Sequence, residues 1–258
     1  MVARSQPLRR DEQAAFVLHT FAYRETSLIV EAFTPNQGRV SLVARGAKRP
    51  RSETRGLLQA FQPLTLSWSG GGELKTLMKA EWRGGLPLPS GSALLCGFYL
   101  NELLMKLLAR EDPHPSLFAE YESALESLAT TSSAQTQAAI LRRFEVRLVA
   151  ELGYALTLTH EVDTGGAIDP GGSYHYVFDR GPRRVTGRVA RETDPNGVLV
   201  RGATLLALSD LNFADAEIAV EAKRMMREIL DRYLEERRIF SRRVVRDLMA
   251  LDEEGTSS

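Results

Sequence analysis

The 258-residue sequence contains a single cysteine, Cys96. One thiol cannot form an internal disulfide, and Cys96 sits in an apolar run where a small buried hydrophobic residue is expected. No apolar stretch reaches about 18 residues, so no membrane-spanning helix is predicted. The basic segment 1–10 lacks the apolar core of a secretory signal. Together these absences favour a cytoplasmic protein.

Catalytic motifs are also missing. None of the four histidines belongs to a nucleophile elbow, a zinc-protease motif or a phosphate loop: His19, His114, His160 and His175. Gly70–Gly72 is not followed by the Lys-Ser/Thr pair of a nucleotide-binding loop. We therefore expect a protein without enzymatic activity and without a cofactor. The alternative is a metal-dependent nuclease whose ion is held by Asp163, Asp169 and Asp179.

The formal net charge is zero, but the charge is unevenly distributed. Residues 1–83 contain 13 Lys and Arg against 7 Asp and Glu, so 13 − 7 = +6. The remaining residues contain 20 and 26, so 20 − 26 = −6. A basic N-terminal part joined to an acidic part is compatible with a nucleic-acid partner or with chance.

Five short β-rich runs occupy the N-terminal part: 16–21, 27–33, 39–45, 64–69 and 74–82. The residues of Thr34–Gly38 are typical of a β-hairpin turn, and Ser69–Gly72 predicts a second turn. In the run 39–45, Val40, Leu42 and Ala44 lie on one face of the predicted strand. The other face carries Arg39, Ser41, Val43 and Arg45. Five strands in so short a segment favour a closed barrel, because closure removes exposed sheet edges. An OB-fold is the most economical candidate, and an SH3-like barrel is the alternative.

The segment after the third strand, Arg45–Arg55, is the main functional candidate. Five of its eleven residues are basic and one is acidic, while Gly46 and Pro50 predict irregular backbone. Such a loop can track a phosphate backbone, or it can be a solvated loop without a partner. Aromatic residues of the strands are either stacking platforms or core: Phe16, Phe21, Tyr23, Phe33, Phe61 and Trp68.

The rest of the chain reads as helical. Helices are predicted over 91–110, 117–129, 137–152, 198–211, 214–237 and 242–251, with an irregular insert and hairpin within 154–190. The basic region 223–246 is interpreted first as a solvated helix face and second as a further DNA contact. Another alternative is an adaptor in which the helices at 94–108 and 137–152 form a groove for an acidic, apolar-ended peptide.

Three motifs in order resemble the RecO family of recombination and repair mediators. Thr34–Arg39 followed by Val43–Arg49 looks like its barrel signature. Tyr99–Leu104, then Glu111–Pro115, looks like the start of its helical domain. Leu141–Glu145 leading to Leu152–Tyr154 matches the helix before its third module, so the resemblance covers nearly the whole chain.

This resemblance implies an α+β fold: an N-terminal OB-fold barrel over 1–83 and a helical domain over 84–258, with an irregular insert at about 154–197. It implies binding of single- and double-stranded DNA, annealing of complementary strands, and loading of recombinase with RecR onto strands coated by single-strand-binding protein, whose C-terminal tail it would bind. It implies a monomer when alone. The implied backbone contacts fall on the basic strand and loop: Arg39, Arg45, Lys48, Arg49, Arg51 and Arg55.

One departure from the family concerns metal. Many members carry two Cys-x-x-Cys pairs in the third module, but the corresponding stretches, Thr159–Asp163 and Tyr174–Arg180, contain no cysteine. His160, Asp163 and His175 remain as candidate ligands, whereas structural zinc sites are usually closed by four ligands, commonly thiolates. We expect no metal, and a module held by packing and hydrogen bonds.

Overall fold

The computed structural model describes residues 9–154, 156–185, 196–234 and 241. Internal contacts divide the chain into two compact units, Met1–Thr131 with Ile239–Ser258, and Ser132–Arg238. Among the described residues, no helix has the length and apolar character needed to cross a lipid bilayer. The helix predicted at 242–251 lies outside the described residues.

Five strands of the first unit close into a barrel in the order β1-β2-β3-β5-β4. They are β1 Arg9–Tyr23, β2 Ser27–Thr34, β3 Gly38–Ala44, β4 Pro63–Ser69 and β5 Leu74–Trp82. Neighbouring strands are antiparallel except β3 and β5, which pair in parallel. The predicted OB-like barrel is therefore confirmed. Strands β2 to β5 lie close to the predicted runs, whereas β1 begins at Arg9, well before the predicted start at residue 16.

The barrel interior is filled by one side of each strand. Val40, Leu42 and Ala44 of β3 are buried, together with Leu64, Leu66 and Trp68 of β4. Phe16 and Phe33 instead pack outside the barrel, where Phe118 lies 5.4 Å from each ring centre to centre. These aromatic contacts join the barrel to the helices that follow it.

Three helices complete the described part of the first unit: α1 Glu53–Leu57, α2 Ser92–Leu107 and α3 Pro115–Ala129. Helix α2 is largely buried, as predicted, and its Asn101 Nδ2 donates to the Leu18 carbonyl at 2.9 Å. The Tyr121 hydroxyl of α3 donates to Asn101 Oδ1 at 2.5 Å, and burial raises the pKa of Tyr121 well above its ordinary value. Helices α2 and α3 are thus fixed on β1 by a buried polar chain.

The second unit contains α4 Ala134–Glu151, a three-stranded sheet, α5 Gly202–Ser209 and α6 Ala216–Leu234. The strands are β6 Ser173–Val177, β7 Gly181–Arg184 and β8 Gly197–Arg201, in the order β7-β6-β8. The hairpin predicted in the insert is confirmed as β6 and β7. The prediction that helix resumes at Val198 was wrong, because residues 197–201 pair with β6 and the helix begins at Gly202. A short apolar run is compatible with either structure, and here the neighbouring strand decides.

Candidate nucleic-acid interface

The basic segment after β3 is a series of turns fixed to the barrel. The Lys48 N–H donates to the Thr26 carbonyl at 2.9 Å, and the Arg49 N–H donates to the Gly46 carbonyl at 3.0 Å. Ala47, inside the segment, is fully buried in the barrel core. The prediction of irregular backbone throughout 45–55 was wrong at its end, because α1 begins at Glu53. An acid in the first turn of that helix and a base in its last turn both suit the helix dipole.

Five of the six predicted DNA contacts are exposed on this segment: Arg45, Lys48, Arg49, Arg51 and Arg55. Within the described parts of the chain, none of these five side chains forms an ion pair or hydrogen bond. Their positive charges therefore face solvent without a neutralising carboxylate. A surface of this kind attracts a polyanion and requires no internal ion pair to be broken on binding.

Arg39, the sixth predicted contact, has a different environment. Its Nη1 donates to Glu31 Oε2 at 3.1 Å, and its Nη2 donates to the Leu108 carbonyl at 3.2 Å. Glu31 is almost fully buried and also accepts hydrogen bonds from Ser41 and Arg110, at 2.6 and 3.0 Å. Arg39 is therefore held within a network that joins β2, β3 and the segment after α2.

A groove of about 790 Å³ opens beside the basic segment on the barrel. Arg24, Arg45 and Arg49 line it together with Glu25, and Val43 and Thr76 contribute from the adjoining strands. Three guanidinium groups against one carboxylate give the groove a positive charge. Arg24 was not predicted from the sequence, because it stands alone in the β1–β2 turn rather than in a basic run.

The six candidate stacking aromatics separate into two groups. Phe16, Phe33, Phe61 and Trp68 are buried and belong to the core. Phe21 is 44% exposed, and Tyr23 is partly exposed and lines the basic groove. The structure therefore leaves Phe21 and Tyr23 as the aromatic candidates that can contact a ligand.

Three arginines in the described part of the second basic region form internal contacts. Arg224 donates to the Leu199 carbonyl at 2.6 Å, Arg227 pairs with Asp231 at 3.6 Å, and Arg232 pairs with Asp179 at 3.2 Å. These contacts agree with a solvated helix face crossed by ion pairs, the first of the two interpretations of this region.

The aspartates proposed for a nuclease each have a basic partner. Asp163 pairs with Arg183 and Asp169 pairs with Arg184, both at 2.8 Å, while Asp179 pairs with Arg232. The Arg183 hydrogen bond lowers the pKa of Asp163, against a smaller opposing effect of burial. Among the described residues, no three His, Cys, Asp or Glu side chains are grouped so that they could hold a metal ion.

The same geometry tests the zinc site that the family resemblance implies. Of its three candidate ligands, Asp163 is engaged by Arg183, and His160 Nδ1 lies 2.8 Å from the Thr159 hydroxyl. His175 lies in β6, opposite Arg183 of β7. Without thiolates and without a grouped donor set in the described region, these residues do not fit a structural zinc ion.

Two family models match consecutive parts of the chain. The model described as "Recombination protein O N terminal" matches residues 9–85, which include the whole barrel. The model described as "Recombination protein O C terminal" matches residues 88–243. Together they cover most of the sequence.

Individual relatives agree with these matches. The chain is 49% identical over 248 residues to "DNA repair protein RecO" of Aromatoleum aromaticum, covering 96% of this chain and 100% of that protein. It is 50% identical over 242 residues to the protein of the same name from Dechloromonas aromatica, covering 93% and 97%. For the namesake from Burkholderia pseudomallei the identity is 44% over 248 residues, with 96% and 87% covered.

Proposed function

The chain belongs to the RecO family of DNA repair proteins, and from that premise we propose that it binds single- and double-stranded DNA through the barrel and its basic segment. The observation that carries this proposal is the set of five exposed cations on 45–55, which have no acidic partner in the described structure. Each phosphate that such a side chain neutralises releases condensed counterions, so affinity should fall steeply with salt.

Annealing of complementary strands follows from the same chemistry. Lysine and arginine side chains that contact phosphates position a strand but do not occupy the hydrogen-bonding edges of its bases. A strand held in this way carries less net charge and keeps its bases available, so a complementary strand can approach and pair. We propose that the protein promotes pairing by this neutralisation, without making or breaking covalent bonds.

Membership of the family also supports the partners of the proposed role. We infer that the protein acts with RecR and with the C-terminal tail of single-strand-binding protein to load recombinase on coated strands. The charge of the basic segment supports only the DNA contact, so the partner contacts need tests of their own. Titration of RecR, and of a peptide with the sequence of that tail, into labelled protein would test each one separately.

The DNA contact is tested by fluorescence anisotropy of a labelled single-stranded oligonucleotide over a series of salt concentrations. The complementary strand is then added, and the annealing rate is compared with that of free DNA. Binding that weakens steeply with salt, together with faster annealing, is the expected result. An oligonucleotide that stays unbound at low salt would contradict the proposal and favour the adaptor alternative. Magnesium-dependent cleavage of the oligonucleotide would contradict the absence of catalysis.

A further inference from the structure

The end of β1 carries a row of rings on the outer face of the barrel. His19, Phe21 and Tyr23 alternate along the strand, so their side chains leave it on the same side. His19 is exposed and Phe21 is 44% exposed, with their ring centroids 4.4 Å apart in an edge-to-face arrangement. The two rings support each other through this contact and form an aromatic surface that is accessible to solvent.

Strand register connects this row to the floor of the basic groove. Phe21 pairs with Ile29 of β2, Ile29 pairs with Val43 of β3, and Val43 pairs with Thr76 of β5. Directly paired residues of adjacent strands lie on the same face of a sheet. Phe21 therefore shares the outer face of the barrel with Val43 and Thr76, which line the groove.

Tyr23 and Arg24 lie where the row meets the groove. Both line the groove, and the Arg24 guanidinium carbon lies 5.1 Å from the centre of the Tyr23 ring. Arg45 and Arg49 line the same groove. Rings and guanidinium planes next to one another are the features that proteins use to hold unpaired bases and their phosphates.

The spacing of the row favours an unpaired strand. Alternate residues of a strand are about 6.8 Å apart, about twice the ~3.4 Å rise between stacked bases of a duplex. Bases that stack on Phe21 and Tyr23 must therefore belong to an extended strand, because a duplex keeps its bases stacked on one another.

We propose that this face is a single-strand track, in which Phe21 and Tyr23 stack unpaired bases while Arg24, Arg45 and Arg49 hold the adjoining phosphates. The inference rests on the proposed DNA binding and adds to it the form of DNA that this face recognises. Duplex DNA contacts only the cations, through its phosphates, because its stacked bases cannot reach the rings. The rings, and not the cations, then distinguish single strands from duplexes.

The test compares three probes of equal length at one salt concentration: a single-stranded oligonucleotide, its duplex, and a single strand with abasic sites in place of its bases. The full-length protein is used with Phe21 and Tyr23 both changed to Ala, and separately with both changed to Leu, which keeps apolar bulk but removes the rings. Trp82→Ala is the matched control, since Trp82 is 61% exposed on β5 and does not line the groove. Circular dichroism confirms that each variant is folded.

Both double variants should bind the normal single strand about 25-fold more weakly than the unchanged protein, or weaker still, because each of the two stacked bases contributes about fivefold or more. Their affinity for the duplex and for the abasic strand should stay close to that of the unchanged protein, and the Trp82 variant should match it on every probe. Equal losses on all three probes, or full single-strand affinity in the Leu variant, would overturn the track. If the unchanged protein binds none of the probes, the proposed DNA binding itself fails.

Discussion

Arg39 and Glu31 form an ion pair across β2 and β3, with 3.1 Å between Nη1 and Oε2. The Glu31 side chain is 2% exposed and that of Arg39 is 13% exposed, so this pair is shielded from solvent. Removal of one partner from a shielded pair leaves a poorly compensated charge. Because Arg110 and Ser41 still contact Glu31, we expect Arg39→Ala to lower the free energy of unfolding by about 2 kcal/mol.

The same variant separates stability from DNA binding. If Arg39 acts through the fold, Arg39→Ala should lower the urea midpoint and leave the affinity of the folded protein for DNA near the unchanged value. Arg49→Ala is the matched comparison, since Arg49 is exposed and lines the groove. A large loss of DNA affinity in the Arg39 variant, with an unchanged midpoint, would show that Arg39 contacts phosphate as first predicted.

Gly38 should tolerate no side chain. Its φ is +60°, and a Cβ placed there would lie 1.9 Å from the Asp112 carbonyl oxygen. The clash is with backbone, so rotation of a side chain cannot relieve it, and Gly38→Ala should cost about 3 kcal/mol or more. Gly71→Ala is the control because nothing lies within 4 Å of that position. Equal unfolding midpoints for the two variants would contradict the close approach of this hairpin to residue 112.

The basic segment should account for most of the salt dependence of binding. Arg45, Lys48, Arg49 and Arg51 are exposed, so changing all four to Ala should leave the fold intact. The slope of log affinity against log salt is negative, and each lost phosphate contact to a single strand makes it shallower by about 0.7. Loss of all four contacts should therefore reduce its magnitude by up to about 3. The slope is measured by anisotropy at several salt concentrations. An unchanged slope would show that the segment is solvated surface without a DNA contact.

The barrel could be predicted from the sequence because the pattern that indicates its strands is local. Alternation at Val40, Leu42 and Ala44 and the turn before Gly38 depend only on neighbouring residues. The environment of Arg39 depends on Glu31 and on Arg110, 71 positions away along the chain, so only folding brings these groups together. Arg24 was missed for the same reason, because the groove that it lines is formed by residues of four strands together with the turns that follow β1 and β3.

Acid should weaken one contact of the second unit. Burial opposes the charge on Glu221, but hydrogen bonds from Thr204 and Arg201 outweigh it and lower the pKa of Glu221 below its ordinary value of 4.5. A carboxyl whose pKa is lower in the folded state stabilises that state above pH about 4.5, and this contribution is lost as the pH falls through the folded pKa. Arg201 is exposed to solvent, so the contribution is on the order of 1 kcal/mol.

Glu221→Gln tests this assignment because it removes the charge and keeps the shape. The variant should unfold at lower urea than the unchanged protein at pH 7, and the difference should shrink as the pH falls below 4.5 and through the lowered pKa of Glu221 in the folded state. Glu228→Gln is the control, since Glu228 is exposed on the same helix. A difference that stays constant from pH 7 to pH 3 would mean that the effect of Glu221 is not electrostatic.

Chelation should leave the insert module, residues 156–185, intact, because polar contacts among its own side chains hold it together. Glu161 is 8% exposed; it accepts a hydrogen bond from Thr164 at 2.7 Å and lies 3.6 Å from Arg184. Arg184 also pairs with Asp169, whose N–H donates to the Tyr174 hydroxyl at 2.9 Å. We expect the melting temperature to be the same with and without EDTA. Glu161→Ala should lower it, because the buried Tyr174 hydroxyl, which donates to Glu161 Oε1 at 3.4 Å, and the Arg184 guanidinium lose their acceptor. Elemental analysis that finds one zinc per chain, or a melting temperature that falls on chelation, would show that a metal holds this module instead.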